Sequence, residues 1–336
     1  MPFISDHPLP RFTKPAFGSI LANTILSTVP GISGAGPTAE KTLLTPILDS
    51  ELIGQGAITS TDGKPNTPTG CPTPAAITRA MMELTGIVPV FINAGLVHRP
   101  TVPCVDLYSE PGRDPRDGDA VPGAPLLFER GEWLGRLLSQ WSDLLVLGEC
   151  VPGGTTTALC VLRALGYPAR VSSSFPENPV AGKEEVCRGA LVRTRSLPVG
   201  SPLTIVQATG DPMMPVAAGL CNTYRGKVFL AGGTQMLAVA AVIKEMGMRL
   251  PSVVTTCYVR DDPTANVGEM ADAIGVRMYS VDPGFGTIGH SGLARYCCGE
   301  VKEGMGAGGA MMLAYLMGFP PDTIRDAIFH TVSSYG

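Results

Sequence analysis

One stretch constrains this chain more than any other: Leu144-Leu-Val-Leu-Gly-Glu-Cys-Val-Pro-Gly-Gly-Thr-Thr-Thr157. Its apolar start, Leu144 to Leu147, reads as a buried strand. A glycine-rich loop follows, then Thr155, Thr156 and a helical pattern from Ala158 to Leu165. A strand that ends in a tight glycine loop and opens a helix aims unpaired backbone N–H groups and the positive end of the helix dipole at one point, which makes an anion cradle. Gly148-x-x-x-x-Gly153-Gly154-Thr155 has the spacing of a nucleoside-triphosphate loop, with Gly154 where the lysine would stand. Without that lysine the loop suits one phosphate that is held and not hydrolysed, which argues against a nucleoside-triphosphate-dependent ligase. Glu149 would repel a phosphate and is expected to face the reacting end of a ligand. The alternative is a tight strand-to-helix turn with glycines for packing, a threonine cap and Glu149 on the surface.

The surrounding pattern extends this unit into a fold class. Strands are expected at Ile87–Asn93, Leu144–Leu147, Leu203–Ala208, Lys227–Leu230, Val253–Val259 and Val276–Val281. Helical patterns are expected at Pro74–Thr85, with its proline in the first turn, and at Ala158–Leu165, Thr234–Met246, Val267–Ile274 and Gly308–Leu316. Short apolar strands alternating with helices give βαβ units and an α/β fold with a mostly parallel sheet. Ligands in such folds bind at the carboxyl ends of the strands. Gly148-Glu149, Thr209-Gly210-Asp211, Gly232-Gly233 and Asp282-Pro283-Gly284 are therefore expected on that one edge. Residues 30–41 and 59–74, rich in Gly, Pro, Ser and Thr, read as connectors or as loops around a cleft, and composition favours connectors. The final segment, Asp322 to Gly336, begins as an amphipathic helix and stops without a clear ending, so the natural chain is expected to continue.

Composition narrows the function classes. With 336 residues the chain can bury a substantial core as one large or two modest domains. The formal net charge of -4, with no dense Lys/Arg cluster, argues against nucleic acid as a partner. Mean hydropathy is +0.21, yet no apolar run reaches the length of a membrane span, so no membrane partner is expected. Pro, Asp and His between Met1 and Pro15 replace the apolar core that a signal peptide needs, and a cytoplasmic location is expected. The nine cysteines are scattered, and Cys150 and Cys160 sit in apolar patterns as reduced thiols do. The histidines His7, His98, His290 and His330 lack ligand spacing, so no metal site is expected. The 41 glycines and 31 prolines fit many strand-to-helix turns.

A second constellation, Val301-Lys-Glu-Gly-Met-Gly-Ala-Gly-Gly-Ala310, repeats the pattern of one glutamate, Glu303, ahead of a glycine-rich helix start. Two such loops suggest two carboxylates converging on one cleft, where burial could tune one as a general base. The alternative is a helix start with a favourable acidic charge. Leu230-Ala-Gly-Gly-Thr-Gln-Met236 is a third strand–glycine–helix turn, whose Gly232 and Gly233 let backbone approach a ligand or let the helix pack on the sheet. His290 is a candidate hydrogen-bonding group or a structural loop residue. Cys297 and Cys298 read as turn packing.

Together these loops resemble the nicotinate-nucleotide–dimethylbenzimidazole phosphoribosyltransferases of cobalamin lower-ligand assembly, in a branch from archaea and cyanobacteria. The family's phosphate loop reads G-E-M-G-I-G-N-T-T, and Gly148 to Thr156 keeps its first two residues, its third glycine and both threonines. The family's L-G-E-G-S-G-A is matched by Val301-Lys302-Glu303-Gly304-Met305-Gly306-Ala307, and its G-G-x-E by Gly232-Gly233-Thr234-Gln235. Asp282-Pro283-Gly284-Phe285 is similar to its D-G-F segment, and the run Leu21 to Gly36 looks like that of the branch. Gly154 stands for the family's Asn and Gln235 for its Glu.

The resemblance implies a three-layer, Rossmann-like sheet with helices on both faces and a smaller helical subdomain from the terminal regions. It divides the chain into 1–85, contributing to that subdomain and the acceptor pocket, 86–300 with the phosphate loop 148–156, and 301–336 with the catalytic loop. Glu303 is implied as general base and Glu149 as a second active-site carboxylate. Gly148, Gly153, Gly154, Thr155, Thr156, Gly232, Gly233, Gln235, Gly304 and Gly306 are implied around the nucleotide. Thr73, Thr78 and His290 are the acceptor-pocket candidates, with Thr73 to Met82 the expected place of that pocket. The implied reaction moves phosphoribose from nicotinate mononucleotide to an azole or purine base, with no cofactor or metal, in a homodimer. The alternative is a non-catalytic nucleotide-binding protein that keeps the phosphate loop, which Gly154 and Gln235 favour.

Overall fold

The computed structural model describes residues 2–5, 7–194 and 201–335. Seven strands run in chain order: β1 (Pro15–Leu21), β2 (Val90–Asn93), β3 (Cys104–Asp106), β4 (Leu144–Cys150), β5 (Lys227–Ala231), β6 (Ser252–Thr256) and β7 (Met278–Val281). They form one sheet in the order β3-β2-β1-β4-β5-β6-β7, every pairing parallel. β1 and β4 lie side by side, Leu21 against Cys150, and the strand order runs away from them in both directions. Their carboxyl ends therefore border the topological switch point, where open parallel sheets leave a crevice.

Thirteen α-helices are described: α1 (Ala39–Gln55), α2 (Pro74–Thr85), α3 (Ala124–Leu138), α4 (Gly154–Ala164), α5 (Val180–Thr194), α6 (Pro202–Thr209), α7 (Met213–Thr223), α8 (Thr234–Glu245), α9 (Cys257–Arg260), α10 (Val267–Ile274), α11 (Ser291–Ala294), α12 (Ala307–Leu316) and α13 (Pro321–Ser334). Side chains alternate across β4, so Leu145 and Leu147 join a core with α3, α4, α7 and α8, while Leu144 and Val146 join one with α1, α2, α12 and α13. All of β4 is buried, which explains why it reads as an unbroken apolar run. The result is three layers. The helices of the terminal regions gather on one face, but β1, from the first 85 residues, is a central strand of the sheet, so the boundary at residue 85 does not separate sheet from helices.

Local signals set several element ends. Thr73 caps α2 by accepting from the Ala75 N–H, Pro74 fills the first helical position and Gly86 closes the helix at φ 70°. One expected strand is overturned: Leu203–Ala208 is helix α6. Ser201 accepts from the Leu203 N–H and Pro202 opens the helix, and these start signals outweigh the β-branched run behind them. Val253–Val259 also divides, into β6 and the single turn α9. The terminal helix ends at Ser334, and Gly336 lies outside the described residues. No described helix is long and apolar enough to cross a membrane.

Candidate active site

A cavity of about 470 Å³ opens at the carboxyl edge of the sheet. Among the residues singled out from sequence, Thr73, Glu149, Gly153, Gly154, Thr155, Gly233, Gln235, Glu303 and Gly304 line it. Both proline- and glycine-rich stretches read as connectors contribute walls, Ile32 to Pro37 and Lys64 to Pro68. The sequence could not assign them because their composition is that of any loop, while their place around the cleft follows from β1 being central.

The phosphate loop has the expected strand–turn–helix shape. Gly153 adopts φ 81°, and a side chain there would press on Ser27, so glycine is required on both counts. At the start of α4 the Gly154 N–H donates to the Val151 C=O and the Thr156 N–H to the Gly153 C=O, both at 2.9 Å. The Thr155 N–H donates to nothing among the described residues, and Thr155 lines the cavity. Thr156 is buried away from the cavity and its hydroxyl has no partner. Thr157, which sequence reading passed over, donates to Asp211 at 2.6 Å and pins this first turn from behind. Asp211 thus belongs to the site although it follows helix α6 and not a strand.

The two glutamate loops meet. The Met305 N–H donates to the Glu149 C=O at 3.0 Å, and a Cβ on Gly148 would stand 3.0 Å from the Gly306 backbone. Gly148 and Gly306 do not line the cavity; they let the two chains touch. The second loop is held in an uncommon shape, with Val301, Lys302, Met305 and Gly306 at φ 63°, 63°, 49° and 72°. Thr78 secures it from α2 by donating to the Met305 C=O at 3.1 Å, and does not face the cavity. Glu303 sits at the start of α12, accepting from the Gly304 and Gly308 N–H groups at 3.2 Å. Burial outweighs these donors and raises its pKa to about 7.

Glu149 is buried at the end of β4. Burial first, then the negative charges of Asp211 and Glu303, raise its pKa to about 8. Its Oε2 accepts from the Val151 N–H at 3.1 Å and from the Gln235 amide at 2.9 Å. Gln235 reaches it across Gly154: a Cβ on Gly154 would lie 2.0 Å from the Gln235 Nε2. The two departures from the family motif are thus one physical arrangement, in which the missing side chain makes room for the amide. Gly232 stands just behind, where a Cβ would be 3.4 Å from the Glu149 Oε1.

Three features escaped the sequence reading. Asp49, on α1, lines the cavity and accepts from Thr73 at 2.9 Å and from the Cys150 thiol at 3.7 Å. Ser172 to Pro176 form a further wall. The buried Lys302, which also lines the cavity, donates to the Ser173 C=O at 2.6 Å and pairs with Asp262 at 3.2 Å. Lys183 donates to the Ser172 C=O at 2.7 Å, and burial, followed by the charge of Lys302, lowers its pKa to about 7. The run of three serines at 172–174 was the available signal. His290 lies away from the cavity: its Nδ1 accepts from the Leu293 N–H at 3.2 Å and caps α11. Cys297 and Cys298 are exposed in a tight turn. Among the described residues no three His, Cys, Asp or Glu side chains are placed to hold a metal ion.

Comparison with known proteins bears on the family and the fold. No family model matches the chain. A UPF0284 protein of Methanosarcina acetivorans is 44% identical over 326 residues, covering 94% of this chain and 93% of its own. One from Methanothermobacter thermautotrophicus is 43% identical, covering 92% of this chain and 89% of its own. Two crystal structures of the nicotinate-nucleotide-dimethylbenzimidazole phosphoribosyltransferase CobT from Thermus thermophilus have the same fold. They superpose with TM-scores of 0.62 and 0.63 at 16% identity, covering 96% of this chain and 84% and 85% of theirs.

Proposed function

The chain belongs to the UPF0284 family, and we propose that it transfers phosphoribose from nicotinate mononucleotide to a nitrogen base, giving an α-ribosyl nucleotide of the kind used as a cobamide lower ligand. The observation that carries this reading is the junction of the glutamate loops, where the Met305 N–H to Glu149 C=O bond joins the loops that carry the buried Glu149 and the half-buried Glu303, both of which line the cavity with Thr155 at the start of α4. In this reading the 5′-phosphate rests on the α4 N-terminus, the Thr155 hydroxyl and the Ser172–Pro176 wall. The fold shared with the Thermus transferase and the Gly-Glu loop motifs support the same reaction class.

The bond from the ribosyl carbon to the pyridinium nitrogen breaks, and its electron pair leaves with neutral-ring nicotinate. One azole nitrogen attacks the opposite face, and the proton of the other ring N–H passes to Glu303. A general base of this kind contributes about 10²–10⁴-fold. With its pKa near 7, Glu303 is ready both to take that proton and to release it. Burial and the neighbouring carboxylates raise the Glu149 pKa, which lessens the negative charge it sets beside the nucleotide. Glu303→Gln is expected to abolish turnover and to leave the affinity for nicotinate mononucleotide within about twofold, since it removes a group used only in the transition state. Equal loss of binding and turnover in a folded variant would overturn the base assignment. A nucleotide-binding protein without transfer would bind equally well and form no product in either version. The homodimer implied by the resemblance belongs to the same proposal and is read by the mass of the protein in solution.

A further inference from the structure

Asp49 is a charged group of this cavity that the proposed reaction does not use. It lies on α1, near the middle of a helix whose neighbours Ile47, Leu52 and Ile53 are core. Burying a carboxylate is costly unless donors satisfy it. Glu51, two residues on, shows what satisfaction looks like here: the Thr59 and Ser60 N–H groups and the Ser60 and Thr101 hydroxyls all donate to it. Asp49 receives one hydroxyl, from Thr73, and one thiol, from Cys150, a weak donor. A carboxylate offers about four acceptor positions, so Asp49 faces the cavity with capacity to spare.

Its position matters as much. Cys150 follows Glu149, and Thr73 precedes Pro74, which stands against Gly304, where a Cβ would be 3.3 Å from the Pro74 ring. Asp49 thus bridges the ends of both glutamate loops, on the α1/α2 face of the sheet and not on the α4 face that carries the phosphate cradle. The apolar Leu48, Ile58, Pro65 and Pro74 line the same cavity, and an apolar lining suits an aromatic ring.

Resting on the transferase reading, we propose that Asp49 selects the acceptor: the base is one that carries a second hydrogen-bond donor, an exocyclic amine or N–H, beyond the ring N–H that Glu303 takes. A base without that donor would leave Asp49 buried and under-satisfied, and a site built to pair a donor rejects the analogue that lacks it.

The test compares adenine with purine, which lacks only the exocyclic amine, and with dimethylbenzimidazole. Wild-type protein is expected to use adenine at least about tenfold better in kcat/KM than purine or dimethylbenzimidazole, and Asp49→Asn to reduce that ratio by about tenfold, the usual scale of a hydrogen bond to a charged group. The affinity for nicotinate mononucleotide should stay unchanged, which separates selection from folding. A ratio that Asp49→Asn leaves unmoved, or a wild-type preference for dimethylbenzimidazole, overturns the inference while the transferase reading stands. If no base gives product, the transferase reading fails, and calorimetry of adenine and purine binding decides the inference by itself: an Asp49-dependent preference upholds it, equal binding or no binding of either base overturns it.

Discussion

Gly154 and Gln235 differ from the motif of the transferases that the chain resembles, at positions 81 residues apart in the chain, and the fold makes the second depend on the first. Gln235 occupies the volume a Gly154 side chain would need, and from there it donates to Glu149. Gly154→Asn alone is expected to cost about 1–3 kcal/mol, the scale of overpacking in a filled site. Gln235→Ala in the same chain should recover much of that. Urea unfolding of the single and double variants would reveal the coupling, and strictly additive effects would show that the two residues do not compete for space. Either substitution looks from the sequence like the simple loss of a polar group. The compensation is invisible there because it depends on how closely α4 and α8 begin, which no local pattern encodes.

The elements show the same division. The first glutamate loop and the helix behind it were legible because a glycine run after an apolar strand has few alternative structures, and the second because it repeats a glutamate ahead of a glycine-rich helix start. Helix α2 was legible from its cap and its closing glycine. Helix α6 was not, because Leu-Thr-Ile-Val-Gln-Ala carries strand propensity and the deciding Ser201-Pro202 start lies just ahead of it. Strand β1 was also missed, since it begins at a proline and holds Gly18 and Ser19 within its apolar residues. Without β1 at the centre, the loop that follows it could not be placed on the cleft, and with it went Asp49. The Val301–Gly306 loop carries left-handed residues that other elements must hold. Thr78→Val keeps the shape of the side chain but leaves the Met305 C=O buried without its donor. It is expected to destabilise the protein by about 1–3 kcal/mol and to reduce turnover more than nucleotide affinity, because the loop it holds carries Glu303 and not the phosphate cradle. Denaturation and steady-state kinetics together check this, and an unchanged kcat would contradict it.

Over the whole molecule, the switch point between β1 and β4 gathers carboxylates that burial keeps protonated longer than in water. Glu149, with a pKa near 8, Glu303 near 7, and Asp49 and Asp211 near 6, all lie above their ordinary values. The folded protein therefore holds more protons than the unfolded chain from about pH 4 to 8. The stability these groups contribute is intact below their unfolded values and is lost as the pH rises through the folded ones. Glu149→Gln, which cannot ionise, should gain on the order of 1–3 kcal/mol relative to wild type at pH 8.5 and little at pH 5. Thermal unfolding at the two values tests it, and equal effects at both would show that Glu149 titrates normally.

The most direct measurement of the central claim is turnover: purified protein with nicotinate mononucleotide and adenine, purine or dimethylbenzimidazole, followed by mass for released nicotinate and an α-ribosyl 5′-phosphate of the base. Wild type is expected to give stoichiometric nicotinate and product, and Glu303→Gln neither. Tight binding of nicotinate mononucleotide with no product from any acceptor would contradict it, leaving a phosphate cradle that serves binding and not transfer.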